Sequence, residues 1–406
     1  MDGKRGWLVV LGCFLTMMIT AGASLFVMPI MLDTIIKDTG WSLSGVSAAL
    51  TVWGVSAAVF SPICGLLIDK YGARRMMIFG IVVSSATAWL TSHAASLWQL
   101  YAILLVSAIG NMSCTYVPVS SVVARWFVKR RSVATGIAML SIFVGASIFL
   151  ILTNQLLKSY TWREVYQIIS VVWLVSAIPT LLWVRYPPRA EEEAYLAQMG
   201  PEATTADDLT LPMAVRTRSF WGLSIGDAVT GLVFAVFNFH LPYFLTQDLG
   251  NADTAAFAAT LLNLATAGGT LLFGVLGDRF PFRPLFVSCY FLPFLAVPLL
   301  MIGGSPILAY SFAMLAGIPG GGRNALFPVG LVYCFGETHL GSIYGTSNSA
   351  FMLGNAFAPL ISAAIYEATG KNAIAVYAVC MGLLIVSTGL VALIQPKPVA
   401  AHLIAR

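Results

Sequence analysis

The sequence predicts an all-α membrane protein of twelve transmembrane helices in two pseudo-symmetric six-helix bundles. Three observations predict it. The chain carries twelve apolar segments of spanning length. One long polar stretch divides them six and six. A set of glycines, carboxylates and arginines recurs at a single fixed offset.

A membrane span needs about 20 apolar residues, in the range 17–25 or more when tilted. Segments 6–32, 43–69, 75–95, 98–126, 131–157 and 164–185 meet this in the first half. Segments 219–247, 254–277, 283–302, 305–335, 341–366 and 372–395 meet it in the second. Between them lies a stretch from Tyr186 to Arg218 with Glu191-Glu192-Glu193, Asp207-Asp208 and four prolines. The expected organisation is a six-helix bundle over 1–185, a cytoplasmic linker over 186–218 and a second bundle over 219–406. The first apolar segment is too long for a signal-peptide core and lacks a small-residue cleavage site, so it reads as a retained helix.

Composition supports the class. The chain is 58% hydrophobic and 10% charged, where a soluble domain carries about 25% charged residues. The cysteines, Cys13, Cys64, Cys114, Cys289, Cys334 and Cys380, are scattered through apolar segments without a CxxC and read as packing residues. His93, His240, His339 and His402 form no HxxH or HxxxH cluster. With no metal cluster, nucleophile–base pair or cofactor loop, the chain does not read as an enzyme, and no cofactor is expected. The net charge of +5 reflects placement about a bilayer rather than nucleic-acid binding. Lys129-Arg130-Arg131, a run with the charge of a phosphate or lipid site, is explained by topology and the inner-leaflet potential.

Orientation follows from the basic residues. With the N-terminus in the cytoplasm, 17 of the 22 Lys+Arg fall on the cytoplasmic side and only Lys37, Lys158, Arg163 and Lys371 on the other. Both termini and the linker are therefore expected in the cytoplasm. Arg323 is the one basic residue left inside a span.

The halves are related. Gly65-x3-Asp69-x4-Arg74 follows the second segment and Gly274-x3-Asp278-x4-Arg283 the eighth, each pair 209 positions apart. Gly136 and Gly145 of the fifth segment recur at the same offset as Gly345 and Gly354 of the eleventh, and read as sites of close helix packing. Parallel repeats of six helices build one major class of secondary transporter, with the substrate site near the midplane.

The stretch from Gly65 to Arg75, GLLIDKYGARR, resembles the signature loop between helices 2 and 3 of the major facilitator superfamily, and the duplication extends that resemblance over the chain. The resemblance implies the major facilitator fold, with helices 1, 4, 7 and 10 lining a central cavity. In the signature loop, Asp69 can accept hydrogen bonds from a neighbouring helix N-terminus, and Arg74 and Arg75 are expected at an interface. These residues, with Asp278 and Arg283, are the gating candidates. A narrower resemblance is to the monocarboxylate transporter branch and its oxalate/formate exchanger relatives. Asp2-Gly3-Lys4-Arg5-Gly6-Trp7 resembles that branch's entry to helix 1, and Arg125 to Gly136, RWFVKRRSVATG, its motif after helix 4. That branch usually carries an arginine in helix 8, and the exchangers a lysine in helix 11. Here the eighth segment reads Asn263-Leu264-Ala265-Thr266-Ala267-Gly268-Gly269, and the eleventh has no lysine. Arg323 in helix 10 would then supply the positive charge from a different wall.

Arg323 is the centre of the candidate site. A cation in a spanning helix costs at least about 2.5–3.5 kcal/mol and usually faces a cavity or a partner. The six residues before it, Gly317-Ile318-Pro319-Gly320-Gly321-Gly322, are expected to weaken the helix and let it bend. At a rise of ~1.5 Å per residue, Arg323 lies ~18 Å, Asp227 ~12 Å and Tyr116 ~15 Å from the cytoplasmic ends of their helices. Asp227 is thus the natural partner of Arg323 and the proton-coupling candidate: its protonation would release Arg323 to an incoming anion. Asn111, Thr115 and Tyr116 supply donors on helix 4, and Asn324 adjoins Arg323. Asn348, Phe351 and Asn355 share one face of the eleventh segment, and His240 lies towards the outer end of the seventh.

The expected function is transport of a small organic anion, a monocarboxylate first, by alternating access with proton symport. Anion exchange is the second mechanism. Efflux of a larger amphipathic compound is the alternative substrate class, and a transporter-like sensor the non-transport alternative. The expected partners are a small anionic substrate, protons and the lipid bilayer. The expected setting is a monomer with many spans in a bacterial cytoplasmic membrane.

Overall fold

A computed structural model describes residues 3–188, 208–370 and 372–395. Most of the linker, with Glu191-Glu192-Glu193 and Asp207, lies outside the described residues, as do Asp2, Arg189, Lys371, Lys397, His402 and Arg406.

Among the described residues every element is a helix, and each expected apolar segment is helical. In the first half these are α1 (Lys4–Thr39), α2 (Leu43–Tyr71), α3 (Ala73–Ser92), α4 (Leu97–Cys114), α5 (Tyr116–Trp126), α6 (Arg131–Leu156), α7 (Trp162–Val175) and α8 (Ala177–Trp183). The short α9 (Leu211–Ala214) precedes α10 (Arg218–Phe239), α11 (Leu241–Leu249), α12 (Ala252–Gly277), α13 (Phe282–Ile302), α14 (Pro306–Phe335), α15 (Leu340–Ala368) and α16 (Ala373–Ala392). Three expected spans are each split into two helices, at Thr115, Ser176 and His240. Each break places a proline, Pro118, Pro179 or Pro242, in the first turn of the resumed helix, where its missing N–H would have no partner anyway. Gly72, at φ +87°, makes the turn from α2 to α3, a backbone region that favours glycine.

Among the described residues, eleven helical stretches are long and apolar enough to cross a membrane. The twelfth expected span, α14, is outside that set by composition, because it holds Arg323, Asn324 and five glycines. Its 30 residues still extend about 45 Å.

The chain divides into two compact units. One holds residues 3–129, 137–188 and 337–349; the other holds 130–136, 208–336, 350–370 and 372–395. The first turn of α6 is therefore grouped with the second half of the sequence, and the first turns of α15 with the first half.

In the first unit, Ala23, Met31, Val46, Leu100, Phe149, Trp162 and Val165 belong to one buried apolar cluster. The two motifs of the narrower resemblance meet here: Trp7 packs edge-on against Phe127 with centroids 4.9 Å apart. In the second unit the corresponding cluster includes Val233, Phe237, Phe244, Leu262, Phe312 and Leu384.

The repeated glycines mark repeated helix contacts. A Cβ on Gly345 would stand 2.5 Å from the Ser61 carbonyl oxygen and 3.2 Å from the Gly65 Cα. A Cβ on Gly136, 209 positions earlier, would stand 2.8 Å from the Thr270 carbonyl oxygen and 3.3 Å from the Gly274 Cα. Gly145 presses on Met18 and Gly354 on Ala228 in the same way. Small residues allow such backbone approach where lipid offers no hydrophobic driving force between helices.

The glycines before Arg323 lie at helix contacts. α14 runs unbroken through them. Gly317 and Gly321, four apart on one face, receive α12: a Cβ on Gly317 would lie 2.7 Å from the Leu262 carbonyl oxygen, and one on Gly321 2.5 Å from the Thr270 nitrogen. Gly320 receives the Phe234 ring, and Gly322 the Phe273 ring and the Cys289 sulfur. Close packing supports the helix where propensity does not, and a spanning segment must in any case satisfy its own backbone hydrogen bonds.

Candidate functional site

The second unit brings Arg323 and Asp227 together. Asp227 sits on α10 between Gly226 and Ala228. Gly226 lets α16 come close enough for Ser387 to donate to the Gly226 carbonyl at 2.8 Å, and Gly354 packs on Ala228. Asp227 is therefore buried, with 1% of its surface exposed. Arg323 projects from α14. Its Nε donates to Asp227 Oδ1 at 2.6 Å and its Nη2 to Oδ2 at 2.5 Å. This is the forked guanidinium–carboxylate geometry in which two parallel charge-assisted bonds form.

Four further side chains complete the cluster. Arg323 Nη1 donates to Asn324 Oδ1 at 2.8 Å. The guanidinium carbon lies 4.0 Å from the centroid of Phe351 and 5.4 Å from that of Phe327, a cation–π arrangement. The hydroxyl of Tyr290 on α13 donates to Asp227 Oδ1 at 3.2 Å. Of these partners, Tyr290 does not emerge from the sequence reading, because helix 9 is not among the expected lining helices. The depth rule that places Asp227 would have found it: Asp227 is the ninth and Tyr290 the eighth residue of its apolar segment, counted from the same side.

The helix 4 candidates lie in the first unit. Asn111 is buried and its Nδ2 donates to Ser24 Oγ of α1 at 2.5 Å. Thr115 is also buried and donates back to the Asn111 carbonyl at 2.9 Å. That bond satisfies a carbonyl freed where α4 stops. Tyr116 is half-buried at the start of α5. On α15, Asn348 Nδ2 donates to Ser61 Oγ at 3.1 Å within the first unit. In the second, His240 Nδ1 lies 2.5 Å from Ser362 Oγ.

The duplicated motif forms two matching caps. In the first unit Asp69 Oδ1 accepts from the Gly341 N–H at 2.9 Å and Oδ2 from the Ser342 N–H at 2.7 Å, at the start of α15. In the second unit Asp278 Oδ1 accepts from Ser132 N–H at 2.9 Å and Oδ2 from Val133 N–H at 3.2 Å, at the start of α6. Both donors and acceptors are related by the 209-position offset. A carboxylate at these N–H groups satisfies orphan donors and complements the helix dipole. The arginines repeat as well. Arg74 Nη2 donates to the Leu181 carbonyl near the end of α8, and Arg283 Nη2 to the Ala392 carbonyl at the end of α16 at 2.7 Å. Each thus serves a helix C-terminus in its own unit. Arg75 is exposed.

A family model described as Major Facilitator Superfamily matches residues 12–250 and 223–405. The chain belongs to this superfamily. Among its relatives is Monocarboxylate transporter 12-B of Danio rerio, 26% identical over 91% of this chain and 83% of that protein. Another is the Saccharomyces cerevisiae protein described as Uncharacterized transporter ESBP6, 28% identical over 69% of this chain. The match spans only 42% of the yeast protein's length. Among solved structures, the proton:xylose symporter XylE superposes with a TM-score of 0.76 at 11% identity, covering 96% of this chain and 95% of that one. At that identity the likeness concerns the superfamily fold, which agrees with the twelve expected helical segments and the duplicated motif.

Proposed function

We propose that this superfamily member is a secondary transporter of a small organic anion, a monocarboxylate first, moved by alternating access with proton symport. The observation that carries the reading is the buried fork between Arg323 and Asp227. A fully paired arginine has little to offer an anion until its partner is neutralised. Protonation of Asp227 removes the charge that holds the guanidinium, and the substrate carboxylate takes its place. Release of the substrate and deprotonation restore the pair. The relatives named monocarboxylate transporters support the substrate class. The fork also substitutes for the cation absent from the eighth segment.

The test is uptake of labelled formate, acetate, lactate, pyruvate and oxalate into proteoliposomes, with and without an inward proton gradient. We expect one of the monocarboxylates to accumulate with the gradient, and Arg323→Ala to lower that uptake at least ~100-fold. Such a loss corresponds to about 2.7 kcal/mol, within the range for losing a charged hydrogen-bonding partner. Accumulation driven by an internal carboxylate instead of protons would establish exchange. Normal uptake by folded Arg323→Ala would remove Arg323 from the site.

In the same cycle the two carboxylate caps at α15 and α6 are proposed to act as latches, made in one state and released in another. Asp69→Asn and Asp278→Asn each remove one charge from a helix N-terminus, at a cost of about 1 kcal/mol. Each should slow transport several-fold while leaving equilibrium substrate affinity within about twofold. Because the caps are related by the repeat, the two substitutions should have comparable effects. Uptake rates beside binding titrations measure both.

A further inference from the structure

Tyr290 is completely buried on α13. Its ring packs edge-on against Phe286 at 5.2 Å, where a phenylalanine would serve equally well for packing. A buried tyrosine hydroxyl needs a partner, and here it donates to Asp227 Oδ1 at 3.2 Å. Asp227 Oδ1 therefore has two donors, Arg323 and Tyr290, and Oδ2 is held by Arg323 Nη2. We infer that Tyr290 is a positioning residue for Asp227, holding its carboxyl group through the part of the cycle in which Arg323 turns to the substrate. This rests on the transport reading proposed above.

The chemistry of the hydroxyl suits that task. A phenol is one donor and also an acceptor. It can donate to Asp227 when the carboxylate is charged and accept from it when the carboxyl is protonated. An aliphatic or purely aromatic neighbour could do neither, and the unpartnered carboxyl would be left buried. The separation of 3.2 Å is long for an O–H···O bond, whose usual value is about 2.7–2.8 Å, so the contact has room to shorten once the guanidinium withdraws.

The groups packed around this part of α10 come from four helices. From α14 the charged neighbour is Arg323 itself. From α13 the titratable neighbours are Tyr290 and Cys289, whose sulfur lies at Gly322. From α16 the nearest groups are Ser387, Leu390 and Val391, packed on Gly226. From α15 they are Phe351, packed on Gly231, and Gly354, packed on Ala228.

The experiment compares the pH profile of proton-driven uptake for the unaltered full chain and Tyr290→Phe in proteoliposomes. The probe is whichever of the five labelled carboxylates the unaltered chain takes up fastest. Losing a hydrogen bond to a charged group should move the pH of half-maximal uptake upward by about one unit. KM measured well below that pH should change less than about twofold. A fluorinated tyrosine at 290 keeps the shape and strengthens the donor, and should move the profile to lower pH; it decides the matter even where Tyr290→Phe fails to fold. An unmoved profile in either substituted protein, or a rise in KM alone, would overturn the inference while the transport reading stands. Absence of proton-dependent carboxylate uptake by the unaltered chain would remove both.

Discussion

Removing either member of the Arg323–Asp227 pair should destabilise the folded protein by about 3–5 kcal/mol, and replacing both with apolar residues should restore most of that loss. The asymmetry follows from burial. Asp227 is 1% exposed and the Arg323 side chain 12%, so Asp227→Ala leaves a guanidinium at depth with its fork empty, and Arg323→Ala leaves a carboxylate there. The carboxylate has almost no exposed surface to turn to and the guanidinium little. In the double variant Asp227→Leu/Arg323→Met both desolvation costs disappear together. Thermal unfolding of the purified proteins measures the effect. We expect a clear drop in midpoint for each single variant and a midpoint near the unaltered value for the double one. Uptake should be lost in all three, because stability and the anion site depend on different properties of the same pair. If the double variant is as unstable as the singles, the cluster stabilises through packing around Phe351 and Phe327 rather than through charge.

Two adjacent glycines on α12 should respond in opposite directions to the same substitution. A Cβ on Gly269 would meet the Ile318 backbone, with the carbonyl carbon and Cα both at 2.7 Å. Those atoms belong to the rigid helix α14, so relief requires moving α14 away and with it Arg323. Gly269→Ala should cost about 1–3 kcal/mol, Gly269→Val more, and both should reduce uptake. Gly268 has nothing within 4 Å of its Cβ position and is exposed. Gly268→Ala should be neutral, or stabilise by up to about 1 kcal/mol through helix propensity. Unfolding midpoints of the two alanine variants give the comparison directly. Equal effects would show that α12 and α14 are not locked at this contact.

The fold was legible because its determinants are one-dimensional. Length and apolarity define a span, and a fixed offset reveals a duplication whatever the local geometry. Gly65, Asp69, Arg74 and their counterparts Gly274, Asp278 and Arg283 could thus be matched before any contact was known. Asp69 could also be read as a cap, because carboxylates and helix N-termini attract each other generally. What it caps was not readable: the N–H donors of Gly341 and Ser342 lie more than 270 residues along the chain.

The candidate site was legible in part. Arg323 stood out because a charge at membrane depth requires a reason, and depth counting brought Asp227 to a similar level. Tyr290 escaped, since neither charge nor rarity marks a tyrosine in an apolar segment and helix 9 was not expected to contribute. The intrinsic propensity of the glycines at 317–322 points to a weakened stretch of helix. In the fold they are contact surfaces, because tertiary packing of α12 against α14 outweighs local preference. The sequence by itself determined the apolar segments, their pairing into repeats and the residues that carry charge into the membrane. Only the tertiary structure decided which faces meet, because helical phase along segments of twenty residues is set by the packing of side chains from distant parts of the chain. That packing brings Asp227, Tyr290, Arg323 and Phe351, from four different helices, into one cluster.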